Sequence, residues 1–162
     1  MHNPKVETFI KIIFLVSLVS IISAYFIEYA LGHQPCNLCL IERIPYGLAI
    51  VLIISNHILI KNKRFIILLL ILVFSFSLII SLYHFGIEQG IFEESTVCGL
   101  KDASSIVSKE ELLKQLQVKN VSCKDVTFRI FGFSLTSFNI IISLILVIFL
   151  SIIFKNYEIL KK

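Results

Sequence analysis

Four long stretches of the chain carry almost no polar residues, and short polar segments separate them. The first runs from about Ile12 to Leu31 and is interrupted only by Glu28. The second covers about Ile44 to Ile60, with Asn56 and His57 near its far end, the third Phe65 to Phe85, and the fourth Leu135 to Phe154. Each is close to the length that crosses a bilayer once as a helix. The ten-residue alternation of a membrane β-strand is not seen. Because lipid leaves no partner for open backbone groups, the pattern predicts an all-α membrane protein, a four-transmembrane-helix bundle forming a single domain over 1–162. Its helices are expected at about 12–31, 44–60, 65–85 and 135–154. Two outer loops follow, at about 32–43 and 86–134. The first stretch is too long for a signal-peptide core and is followed by no small-residue cleavage site, so it is expected to remain as a helix.

Composition agrees: 57% of residues are hydrophobic, 16% are charged, and the mean hydropathy is +0.91. A water-soluble domain holds closer to a quarter charged residues. The charges are unevenly divided. Four crossings put both termini and the Lys61–Arg64 connection on one side, where eight Lys and Arg face two Glu. The other side holds seven basic and nine acidic residues. The basic excess marks the cytoplasmic side, so both termini are expected there. It is a topology signal and carries no case for nucleic acid. Tyr25, Tyr29, Tyr46 and Tyr83 fall near the outer helix ends, the depth an amphipathic ring prefers.

All four cysteines fall on the exported side: Cys36 and Cys39 in the first outer loop, Cys98 and Cys123 in the second. Disulfides persist in an oxidising compartment. Four cysteines allow three connectivities, and the sequence does not select one. The C-x-x-C spacing closes too small a ring for a structural bridge to gain much, but it lets one thiol resolve a mixed disulfide on the other. Cys39 is expected just before the second long helix, beginning between Ile41 and Pro45, with the helix N-terminus and Arg43 favouring a thiolate. A bridge closing the longer Cys98–Cys123 loop would be structural if taken alone, at about 3 kcal/mol. A metal site is not the reading, since zinc usually takes two close pairs. Haem attachment would need His where Leu40 stands. In the second loop Ser108–Glu111 forms a capping box, which predicts a short helix near Lys109–Gln117.

Arg43 stands where the second helix enters the bilayer and is either an interfacial snorkelling residue or a guanidinium that holds a carbonyl or a thiolate. His84 lies at a similar depth and suits a hydrogen bond to a quinone carbonyl. Glu28 and Glu42 share that layer as potential partners for Arg43.

Three segments resemble the DsbB family of bacterial disulfide bond formation proteins. They are Gln34-Pro35-Cys36-Asn37-Leu38-Cys39-Leu40-Ile41-Glu42-Arg43, Tyr83-His84-Phe85-Gly86-Ile87-Glu88-Gln89-Gly90, and Cys123-Lys124-Asp125-Val126-Thr127-Phe128-Arg129 continuing to Ser134. The resemblance implies an inner-membrane protein-dithiol:quinone oxidoreductase that reoxidises a periplasmic DsbA-like partner. It also implies the disulfides Cys36–Cys39 and Cys98–Cys123. Cys98 would take the partner's attack and Cys123 would then attack Cys36. Cys39 would be left as a thiolate beside the quinone, ubiquinone or menaquinone, with Arg43 and His84 as its binding residues. An oxidant such as DsbA, near −120 mV, needs an acceptor of higher potential, and a lipid-soluble quinone reaches a membrane-surface site. Thr127-Phe128 departs from the Pro-Trp common in the family. Alternatives are a paralogue serving a dedicated partner, a scaffold with structural disulfides, and a quinone reductase resembling the vitamin K epoxide reductases. The last normally carries its C-x-x-C late in the chain.

Overall fold

The computed structural model describes residues 4–58, 63–93, 122–124, 129–130 and 132–157. Cys98 and the short helix expected near 109–117 lie outside these residues. In chain order the elements are α1 (Pro4–Tyr29), α2 (Asn37–Ile41), α3 (Ile44–Ile58), α4 (Lys63–Glu88), β1 (Arg129–Ile130), β2 (Phe133–Ser134) and α5 (Leu135–Lys155). Four stretches are long and apolar enough to cross a membrane: Val6–Tyr29, Asn37–Asn56, Lys63–Glu88 and Leu135–Lys155. The protein is a multi-pass helical membrane bundle, as the hydropathy pattern predicts.

Helix ends differ from the edges of the apolar runs for local reasons. Helix α1 covers Pro4–Tyr29 and so reaches ahead of its apolar run, with Glu7 in its first turn favouring the helix dipole. Helix α4 covers Lys63–Glu88 and runs on beyond the apolar run at its C-terminal end. Apolarity marks what lipid covers, while the helix continues into the interface wherever no breaker stops it. The largest difference is α2, a five-residue helix where an irregular loop was expected. Its N-cap is Cys36, whose sulfur accepts from the Cys39 backbone N–H at 3.3 Å. Pro45 explains the break that follows: its ring excludes a bond to the Ile41 carbonyl, so the chain turns at Glu42 and Arg43 before α3.

Helix α1 packs on α3, α3 on α4, and α4 most extensively on α5. The shared core includes Ile13, Tyr46, Ile53, Leu70, Phe74 and Leu150. Small residues let backbones approach where α4 meets α5: Ser77 and Ser143, both fully buried, share a hydrogen bond at 3.1 Å. The outward faces are apolar throughout, with Leu15, Ile22, Phe26, Leu72, Ile79, Ile145 and Phe149 all exposed. Such a surface suits lipid as its solvent. Arg129–Ile130 pairs antiparallel with Phe133–Ser134 as a two-residue ribbon, and Ser134 then caps α5 by accepting from the Ser137 N–H.

Two glycines shape the end of the bundle that carries the cysteines. Gly32 takes φ 72° in the turn that delivers Pro35 and Cys36, a left-handed conformation that suits Gly. At Gly86 a Cβ would lie 2.3 Å from the Phe92 ring, so glycine lets Phe92 fold back and stack on Tyr83.

Ser77→Leu should overfill the α4–α5 contact and destabilise the bundle by about 1–3 kcal/mol. Ile79→Leu, on a side chain 66% exposed, should leave stability close to unchanged. Thermal unfolding of the two variants in one detergent measures the difference.

Candidate functional site

One end of the bundle gathers residues from α2, the α2–α3 turn, α4, α5 and the segment around Cys123. Cys36 and Cys39 are free thiols with their sulfurs 2.8 Å apart. Capping α2 turns the Cys36 sulfur toward the helix end, and one turn brings Cys39 beside it. A disulfide needs about 2.05 Å, so this dithiol is arranged to close with a small shift.

His84 projects from α4 into this site and is buried, 1% exposed. Its Nε2 lies 3.5 Å from the Cys36 sulfur and its Nδ1 lies 2.9 Å from Glu42 Oε1. A carboxylate oxygen accepts, so Nδ1–H donates to Glu42, and Nε2 faces the sulfur, donating to it when Cys36 is a thiolate and accepting from it when Cys36 is a thiol. Thr136 of α5 is also within 3.2 Å of Nδ1 and donates to Glu88 Oε1 at 2.6 Å. The second Glu42 oxygen accepts from Asn139 Nδ2 at 3.0 Å, and Asn139 also donates to Ser81 Oγ at 2.7 Å. The Tyr46 hydroxyl donates to Asn139 Oδ1. Glu42 is thus satisfied from two sides, as a buried carboxylate must be.

These contacts hold the Cys36 thiol well below its ordinary value of 9.0. The Cys39 thiol, hydrogen-bonded to it, acts most strongly, and His84 and the Cys39 amide add to the effect against the opposing influence of burial. The sequence places the helix-terminus effect on Cys39; the fold places it on Cys36, because α2 starts at Asn37 and not after Cys39.

Arg43 points the other way. Its guanidinium pairs with Glu28 of α1 and lies over the Tyr25 ring at 5.1 Å. It borders a cavity of about 340 Å³ between α1 and α5. Val19, Ala24, Ile27, Leu135, Phe138 and Ile142 form apolar walls, while Cys39, Glu42, Arg43, Tyr46 and Asn139 supply a polar end. His84 is not among the lining residues and stands behind Glu42, against Cys36. Of the pair expected at one ligand, Arg43 is on the cavity and His84 on the sulfur.

Cys123 is disulfide-bonded and 2% exposed. It packs in one small cluster with Cys36, Leu38 and Ile87, so the second loop reaches the first pair of cysteines. Thr136, Asn139 and Glu88 were not singled out in the sequence. Asn139 carried a usable signal, as an amide within an apolar span generally faces a protein partner. Glu88 and Thr136 carried none, since polar residues at a span end are ordinary.

Comparison with known proteins adds the family. The chain is 30% identical over 87 residues to the uncharacterized protein RP370 of Rickettsia prowazekii (strain Madrid E). That alignment covers 54% of this chain and spans about half, 51%, of the relative's length. No solved structure matches the chain. The sequence model of disulfide bond formation protein DsbB matches residues 7–153, nearly the whole chain and all four crossings. The chain therefore belongs to the DsbB family.

Proposed function

We propose that this protein is a protein-dithiol:quinone oxidoreductase of the bacterial inner membrane, with both termini cytoplasmic, that reoxidises a periplasmic DsbA-like partner and so sustains disulfide bond formation. The observation that carries this reading is the burial of disulfide-bonded Cys123 in one cluster with Cys36, while Cys39 lines an apolar-walled cavity. A scaffold with structural bridges has no use for such a junction.

The thiol steps balance as disulfide exchanges. A reduced partner thiolate attacks Cys98 in a Cys98–Cys123 disulfide; a mixed disulfide forms and Cys123 leaves as a thiolate. Cys123 then attacks Cys36 in the oxidised Cys36–Cys39 pair, joining the loops and releasing Cys39 as a thiolate. The partner's second thiol resolves the mixed disulfide and frees Cys98, which attacks the Cys36–Cys123 bond and restores Cys98–Cys123. Cys36 is the leaving sulfur, and the His84 and Cys39 hydrogen bonds that favour its thiolate ease that departure. The first pair is then the dithiol seen here.

The cavity fits a quinone: apolar walls suit the ring and tail, and Arg43 supplies a fixed positive charge at the polar end beside Cys39. A bound quinone, ubiquinone or menaquinone, supplies the two-electron acceptor that reoxidises the dithiol. Glu28 and Tyr25 hold the guanidinium at the cavity. Glu42 holds the imidazole at the Cys36 sulfur, where it can exchange the thiol proton.

Quinone reduction driven by a reduced periplasmic dithiol protein tests the reading. Cys36→Ser and Cys39→Ser should each lose activity at least about a hundredfold, as expected for a group that carries the chemistry; full activity in either overturns it. In a Cys123→Ser variant the partner should be trapped as a mixed disulfide on Cys98. Arg43→Ala should raise the KM for quinone about tenfold, the effect of one lost charge-assisted contact. The lowered Cys36 pKa also sets a pH dependence. Thiolate ultraviolet absorbance of the reduced protein, minus that of Cys36→Ser, should persist at about pH 6, whereas an ordinary thiol loses about a hundredfold of its thiolate between pH 8 and 6.

A further inference from the structure

The geometry points to a binding site, in the reduced protein, for a thiophilic divalent cation of the zinc class, with Cys36 Sγ, Cys39 Sγ and His84 Nε2 as its ligands. These three atoms lie within 4.8 Å of one another. Zinc–sulfur bonds of about 2.3 Å and zinc–nitrogen bonds of about 2.0 Å in a tetrahedron separate sulfur from nitrogen by about 3.5 Å and the two sulfurs by about 3.8 Å. Cys36 Sγ and His84 Nε2 already stand 3.5 Å apart. The sulfurs, at 2.8 Å, would open by about an ångström, within reach of a side-chain rotation at the half-buried Cys39.

The surroundings complete the donor set. Metal-bound histidines characteristically donate their other N–H to a carboxylate, which fixes the tautomer and strengthens the ligand. His84 has that arrangement already, with Nδ1 on Glu42 and Nε2 left facing the sulfurs. Glu88 Oε1 lies 3.8 Å from Nε2 and is placed to serve as a fourth ligand or to hold a water there. Two thiolates match the ion's charge, and the Arg43 guanidinium is neutralised by Glu28. Access exists because Cys39 lines the cavity. Two cysteines, an imidazole and one open position form a set that zinc adopts in alcohol dehydrogenase.

The site exists only when both sulfurs are thiols, so binding is selective for the reduced enzyme. An ion held by both sulfurs prevents their bond from closing, and exposure to zinc would reversibly arrest the protein in its dithiol state. This goes beyond the proposed oxidoreductase function and does not require a quinone.

The test titrates Zn²⁺ against a chromophoric chelator with the full chain in detergent, reduced by a phosphine and compared with the oxidised form. The expected result is one ion per reduced chain, none on the oxidised chain, and loss of binding in Cys36→Ser. Glu42→Gln, which keeps the shape of the side chain, should weaken binding at least about tenfold through the histidine. His84→Ala should weaken it further, with matched thermal unfolding showing that both variants fold. Equal affinity in all three variants, binding by the oxidised chain, or no stoichiometric binding overturns the proposal.

Discussion

The hydrogen bond between His84 and Glu42 joins the two parts of the site. Glu42 lies in the turn between α2 and α3, and His84 stands on α4, so the contact clamps the C-x-x-C segment to the far side of the bundle. Burial makes it demanding. A carboxylate and an imidazole taken out of water must find every partner they can accept, and Asn139 and Thr136 of α5 supply the remainder. Three elements are therefore fixed relative to Cys36 by one polar network. Its imidazole adds to the hydrogen bonds that favour a thiolate at Cys36.

The site divides between two neighbouring environments. On one side is a buried polar chain running from Cys36 through His84 and Glu42 to Asn139 and Tyr46. On the other is the cavity between α1 and α5, where Cys39 and Arg43 meet apolar walls. The two cysteines of the C-x-x-C segment thus face different surroundings: Cys36 shares a buried cluster with Cys123 and faces the His84 imidazole, while Cys39 lines the cavity. That division suits a pair that takes electrons from one side and yields them to the other. It also explains why a soft metal would find the reduced pair attractive, since the groups that manage a thiolate are the groups that bind zinc.

Much of this was legible in the chain. The four apolar runs exposed the bundle because lipid permits few ways of satisfying a backbone, and a run near twenty residues has essentially one of them. The C-x-x-C and the outer histidine were visible as polar punctuation against that background. Helix α2 was not, because its five residues carry no period, and Pro45 suggested a later start. The partners of Glu28 and Glu42 were also hidden: both carboxylates share a layer with Arg43, yet only Glu28 takes it, leaving Glu42 for His84.

What the sequence determined alone is the membrane architecture and the family to which the cysteine spacing belongs, because each depends on local composition or on a contiguous motif. Tertiary structure decided which residue serves which. Cys36 and His84 are 48 positions apart, and Glu42 and Asn139 are 97 apart. No pattern along a chain encodes a contact of that range; it exists only once α2, α4 and α5 are packed at one end of the bundle. The packing placed Arg43 on the cavity, His84 on the sulfur and the helix cap on Cys36, since a buried polar group goes to whichever partner the fold brings within hydrogen-bonding distance.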